Sequence, residues 1–417
     1  MLNNKWKILF GIIIATLFVS TGWVSSSFAL EGKAGEVIKT VADLKDLQAK
    51  GLLFESQVIT MSEQLERGIP IPIVETTDQS MDKVNGKTYM AATMKHKGKA
   101  SIDSEGRLKN YAGQGQPFPE ISADDPQAGL KAAYNYDHKD FGDTGLMPSW
   151  EYLLTDEKGR IKTLGGMSNR ISLNFRTAIT PAPSLGISDD IWYKDLIAFT
   201  KPFSMKNMAQ LTIKYMDESR MRDTYIYVPG LRRVVRGGTG NRCDCLGGFV
   251  FNMDDSDFWA GDTFRFNWEL LEVKEHLVGT LSDYDVTTKG GTYIKGNHLT
   301  KMTLERRKMW VIKNSPKFDG YCYSHRIYLM DPENWFYKWE EMYDRSGNLW
   351  KILQQLFAVM PIPDQNGGGN IMTNSSGDAT DLKIMEAGPY YHNKISMNDP
   401  SIKAEHFTLD AMRRQGR

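Results

Sequence analysis

Phe264-Arg265-Phe266-Asn267-Trp268-Glu269-Leu270 decides the fold class. Apolar residues fall at every second position with polar ones between, the period of a strand with one buried and one wetter face. The period recurs on both sides of this stretch. Leu211, Ile213 and Tyr215 alternate with Thr212 and Lys214, and Trp335, Tyr337, Trp339 and Tyr343 alternate with Lys338 and Glu340. Phe336 and Met342 fall on the second face of that strand. Asp331-Pro332-Glu333-Asn334 and Asp344-Arg345-Ser346-Gly347 supply reversals, and Asn348 to Leu353 returns as a strand. Strands joined by short turns make an antiparallel meander, and without regular βα alternation a doubly wound parallel sheet is disfavoured. The class is mainly β, of the α+β kind.

Helical periodicity lies towards the ends. Val37, Val41, Leu44 and Gln48 share one face of a segment that stops at Gly51. Gly68-Ile69-Pro70-Ile71-Pro72-Ile73 reads as an extended linker, because each proline removes a donor and restricts its predecessor. Residues 113–119 form a second connector, ahead of a short helix from Asp125 to Asn135. Asp364 to Asp378, rich in Gly, Asn and Ser, reads as turns, and Phe407 to Arg414 as a closing helix.

The first residues give the address. Lys5 and Lys7 precede an apolar run from Ile8 to Val24, and Ser27-Phe28-Ala29 resembles a cleavage site. The expectation is a signal peptide over 1–29 and a single domain over 30–417 that works in the periplasm. Within that domain, 30–150 is expected to be helical or irregular, 150–360 an antiparallel sheet and 361–417 an irregular tail.

The 417 residues carry a formal net charge of +0, without the basic footprint that a nucleic-acid partner needs. Nucleophile elbows, Walker loops, HExxH helices and EF-hand loops are all missing, so no catalytic residue, cofactor or metal is assigned. Cys243, Cys245, Cys322 and His325 could complete a tetrahedral zinc site. In an oxidising compartment a disulfide from Cys322 to Cys243 or Cys245 is the favoured alternative. Arg232, Arg233 and Arg236 suit a phosphate or carboxylate headgroup, or internal pairing with the acidic stretch containing Asp254, Asp255 and Asp257. Phe264, Phe266, Trp268, Trp335, Tyr337 and Trp339 are the candidates for an apolar wall that a lipid could occupy, since burying acyl chain is worth about 0.8 kcal/mol per methylene.

Several runs resemble the DUF1329 family of exported Gram-negative proteins. They are Gln116-Pro117-Phe118-Pro119 with Asp125-Pro126-Gln127-Ala128-Gly129-Leu130-Lys131 and Asn135, and the core Tyr227-Val228-Pro229-Gly230-Leu231-Arg232-Arg233-Val234-Val235-Arg236. Asp254-Asp255 with Phe258 and Gly261, and the end from Arg326-Ile327-Tyr328 to Gly347-Asn348-Leu349-Trp350, belong to the same pattern. The resemblance implies a fold similar to the periplasmic lipoprotein carriers: a strongly curved antiparallel half-barrel whose concave apolar face is covered by helices. It also implies a non-enzymatic carrier of a lipid or other hydrophobic molecule, serving an RND-type exporter and an outer-membrane protein. A scaffold component of an envelope complex is the alternative, and an exported hydrolase a more distant one.

Overall fold

The computed structural model describes residues 29–237, 242–245, 248–250, 252–282, 293–294 and 299–415. The expected leader over 1–29 lies outside them, apart from Ala29. Nineteen strands are described: β1 Val37–Ile38, β2 Ile71–Val74, β3 Ser101–Ile102, β4 Leu108–Lys109, β5 Thr144–Thr155, β6 Ile161–Ser172, β7 Ile191–Lys201, β8 Ala209–Tyr215, β9 Asp223–Val228, β10 Arg233–Arg236, β11 Phe266–Gly279, β12 Tyr293–Ile294, β13 Leu299–Thr300, β14 Leu304–Pro316, β15 Tyr323–Asp331, β16 Phe336–Asp344, β17 Leu349–Pro361, β18 Asn370–Asp381 and β19 Glu386–Met397. The pairs β3–β4 and β12–β13 stand apart. The other fifteen form one open sheet in the order β1-β2-β14-β15-β16-β17-β18-β19-β5-β6-β7-β8-β9-β10, with β11 on the other side of β14. Two meanders, β14–β19 and β5–β10, are thus stitched together where Tyr390 of β19 meets Tyr152 of β5. The pairing is antiparallel except where Ile73 and Val74 of β2 run parallel to Leu304 and Glu305 of β14.

The sheet curls around a small insert. The helix Ala128–Asp137 and the loop residues Phe258 and Trp259 share one buried cluster with side chains from β5, β6, β7, β11 and β14 to β18. Ten residues of helix span about 15 Å, whereas the strands from β11 to β7 laid flat would span about 45 Å. Only a half-barrel brings them all to one short insert. Gly129 permits the contact: a Cβ there would lie 2.9 Å from the carbonyl carbon and oxygen of Trp268. Asn135 anchors the helix by donating to the Phe118 carbonyl (2.6 Å) and accepting from its N–H (2.9 Å).

The convex face has its own covers. The helix Val41–Ala49, started by the Thr40–Asp43 capping box, packs with Glu55–Glu66 over Leu277, Met302, Leu304 and Leu356. At the far end the helix Leu409–Gln415 and Phe407 lie over Ile171, Leu196, Leu211 and Tyr227.

Two expectations need correction. Ile71-Pro72-Ile73-Val74 is a strand, not a linker, because the N–H and carbonyl of Ile73 make the ladder that Pro72 cannot. The tail is not irregular: β18 and β19 are long strands in the middle of the sheet. Small residues suit β18 to its place. Ser375 and Ser376 are buried, and a Cβ on Gly377 would meet the Gln354 carbonyl oxygen at 2.3 Å.

Candidate functional site

A cavity of about 500 Å³ lies on the concave face, between β5–β9, β17–β19 and a cover made of Arg242 to Cys245, Phe249 and Asn252 to Ala260. Strand alternation supplies its wall. Tyr193, Asp195 and Ile197 of β7, Gln210 and Thr212 of β8, and Thr224 and Ile226 of β9 face it. Their neighbours Leu196, Ala198, Ala209, Leu211 and Tyr227 pack into the convex cluster around Phe407 and Met412. Trp150 and Phe249 pack together at one end, and Met147 and Met397 add apolar lining near Gly145, the residue that pairs with both Met397 and Arg170.

The other end is cationic. Lys139 is 8% exposed, lines the cavity, and among the described residues donates only to the Tyr136 carbonyl, at 3.3 Å. Its Nζ lies 3.5 Å from the Tyr136 ring centroid and 3.9 Å from that of Phe141, and it forms no ion pair among the described residues. Burial pulls its pKa down to about 7; Asp257 on the cover supports the charged form, while Arg170 and Arg222 oppose it. Arg170 holds Asp195 through two bonds, of 2.5 and 2.9 Å, and its Nη1 has no hydrogen-bond partner among the described residues. Arg222, also 8% exposed, has no hydrogen-bond partner for Nε among the described residues. His392 lines the same space, and burial pushes its pKa down to about 4.

The cover is fastened rather than loose. Asn252 caps the turn Met253–Asp255 by accepting from the N–H groups of Asp254 and Asp255. Tyr321 donates to Asp254 (2.8 Å), and Tyr323 and Arg326 donate to Asp255 (2.7 and 2.8 Å). Burial alone would raise the Asp254 carboxyl, but Arg242 overrides it and holds it below the usual range. Cys243 and Cys322 form a disulfide that ties the start of the cover to the edge of β15. Cys245 keeps its thiol.

Behind the cavity, Asp137, His138 and Glu218 bring their ligand-type atoms within 4.8 Å of one another. Lys214 sits 3.2 Å from Glu218 and 3.8 Å from Asp137, and Arg222 lies 3.6 Å from Asp137. Burial would lift the Glu218 pKa, yet Lys214 draws it down to about 2. The two cations already balance the two carboxylates, as in a buried ion-pair cluster.

The proposed aromatic wall lies elsewhere. None of its six residues lines the cavity. Phe266 and Trp268 pack edge-on against Trp259 (4.8 and 5.0 Å), and Trp335 does the same against Trp310 (5.2 Å). Tyr337 stacks on Tyr328 at 4.3 Å, and Phe264 sits in a turn before β11. Trp339 faces the convex side and donates to Ser56 (2.9 Å), because a bulge between the Leu329 and Met330 pairings shifts its register. Phe266, Trp268, Trp335 and Tyr337 fill core that the helix Ala128–Asp137 completes. The arginines are also placed differently. Arg236 pairs with Asp223, while Arg232 and Arg233 are exposed, and Asp254 and Asp255 belong to Arg242 and Arg326 instead.

An open antiparallel half-barrel with a covered concave cavity defines the architecture. The chain belongs to the DUF1329 family, proteins of unknown function, whose sequence profile matches residues 48–413. Among solved structures it is similar to a DUF1329 family protein from Desulfovibrio piger, with 14% identity and a TM-score of 0.47 over 70% of this chain and 100% of that one. It is also similar to a LolA superfamily protein from Nitrosomonas europaea, with 14% identity and a TM-score of 0.40 over 65% of this chain and 92% of that one. Comparison with curated proteins finds no significant match.

Proposed function

We propose that the protein is a non-catalytic carrier that holds an amphiphile with an acidic headgroup in the concave cavity. The observation that carries this reading is Lys139: a buried cation lining a cavity of about 500 Å³ that also presents Met147, Trp150, Ile197 and Phe249, with no ion pair among the described residues. That volume falls in the range of small-molecule sites. Met147, Trp150, Ile197, Phe249 and Met397 receive the apolar body, and Lys139 with the spare Nη1 of Arg170 receives the carboxylate or phosphate. The work is placed in the cell envelope, after export through the 1–29 leader. The RND-type exporter and outer-membrane protein implied by the family resemblance are the machinery it would serve, and a pull-down from envelope extracts tests that part separately.

Equilibrium binding of a fluorescent fatty acid tests the reading. Wild type should bind, and Ile197→Trp, which fills the cavity from β7, should weaken binding at least about tenfold. Failure of wild type to bind any amphiphile, or unchanged binding by the filled variant, would contradict it.

A further inference from the structure

The strand registers gather four neighbouring hairpin turns on one rim. Asp381 pairs with Glu386, Thr155 with Ile161, Ala198 with Ala209, and Val228 with Arg233. The cross-pairings Thr155 with Ala387, Gly165 with Lys201 and Ala209 with Tyr227 put all four turns at the same end of their strands. Each turn lifts one large apolar side chain into solvent: Ile384 (58% exposed), Ile161 (46%), Phe203 (90%) and Leu231 (62%). Scattered exposed apolar residues need no explanation, but one on each of four neighbouring turns does.

The same turns carry an excess of cations. Lys158, Arg160, Lys162, Lys206, Arg232, Arg233 and Lys383 are exposed there, against Asp156, Glu157 and Glu386. Asp156 is taken by Arg160, and Lys206, Arg232 and Arg233 have no ion pair among the described residues. Hairpins two strands apart stand about 10 Å from one another. Separate apolar tips flanked by cations suit a fluid surface that yields around each tip, more than a shaped protein groove.

We propose that this rim docks on the headgroup layer of an anionic phospholipid bilayer, with Phe203 and Leu231 inserted and Arg232 and Arg233 on phosphate. The inference stands on the rim alone and does not depend on what fills the cavity.

The test is flotation of the exported protein with vesicles of mixed phosphatidylglycerol and phosphatidylethanolamine, beside vesicles of phosphatidylcholine only. The protein should float with the anionic vesicles and be released by high salt. Arg232→Gln with Arg233→Gln should weaken that binding about thirtyfold, from two charges near an anionic surface. Phe203→Ser with Leu231→Ser should weaken it at least about tenfold. Both pairs are exposed, so thermal unfolding should not move; it serves as the folding control. Wild type that stays unbound, binding that ignores lipid charge, or variants that float as well as wild type would each overturn the proposal. Capture of an acidic protein by the rim without vesicle binding would overturn it too.

Discussion

Lys139→Met separates the two roles a buried cation can play. Removing the charge should stabilise the empty protein while weakening its grip on an acidic ligand. The stability effect follows from titration. Burial lowers the Lys139 pKa from its ordinary 10.5 to about 7 in the folded chain. Between those values the unfolded chain holds one proton more than the folded one, so stability rises with pH across the window. Below about pH 7 the folded state bears the full cost of the buried charge, on the order of 3–5 kcal/mol. Met fills nearly the same space without that charge. At pH 6 the variant should therefore unfold at higher denaturant concentration than wild type, and the gap should close as pH climbs towards 10. Ligand binding should move the other way. A hydrogen bond to a charged group contributes about 1.5–3 kcal/mol, so a fatty acid should lose about 10- to 150-fold in affinity. The uncharged alcohol of the same chain length should lose little. In wild type, acid affinity should fall as pH rises above 7 and Lys139 deprotonates. Paired urea titrations and isothermal titration calorimetry read both effects. Equal affinity of variant and wild type for the acid, or equal losses for acid and alcohol, would refute the assignment of Lys139.

Other parts of the account are also exposed to measurement. His276 is fully buried, and burial holds its pKa at about 3, with His392 at about 4. Both are neutral when folded but take a proton when unfolded below about pH 6.5, so stability should fall by up to about 1.4 kcal/mol per pH unit for each between pH 6 and 4; His276→Phe should flatten that slope in acid denaturation. Trp339→Ala and Trp268→Ala should each cost about 3–5 kcal/mol of unfolding free energy yet leave fatty-acid affinity within about threefold, because both rings are core and not cavity wall. Thiol titration of the denatured protein should find one reactive cysteine, and three after reduction; Cys243→Ser, which opens a crosslink spanning 79 residues, should lower stability by about 2–5 kcal/mol in urea titrations.

The meander was legible because its turns were. Asp331–Asn334 and Asp344–Gly347 bound β15, β16 and β17 within a residue or two of the positions their turn chemistry marks. β18 was illegible for a physical reason. A strand packed on both faces in a tightly curved sheet takes Ser375, Ser376 and Gly377, residue types that elsewhere mean a turn. The cavity wall was hidden by a similar inversion. On β8 the apolar side of the alternation, Leu211, faces the convex cluster, and the polar side, Gln210 and Thr212, faces the cavity. Both sides are covered, so polarity does not tell inside from outside. The one usable signal was Tyr193-Lys194-Asp195-Leu196-Ile197 beside Ser168-Asn169-Arg170, where charged and apolar residues share a face across neighbouring strands. The aromatic stripes read as a wall that a lipid could occupy, whereas the rings of Phe266, Trp268, Trp335 and Tyr337 pack into the core, and the bulge that turns Trp339 away from Tyr337 leaves no trace in the local sequence.

Native mass spectrometry of the protein isolated from its own cell envelope addresses the carrier reading most directly. Gentle ionisation should release a bound amphiphile bearing a carboxylate or phosphate, with occupancy reduced in both Lys139→Met and Ile197→Trp. A protein that leaves its envelope empty, and stays empty after incubation with that envelope's lipid extract, would contradict it.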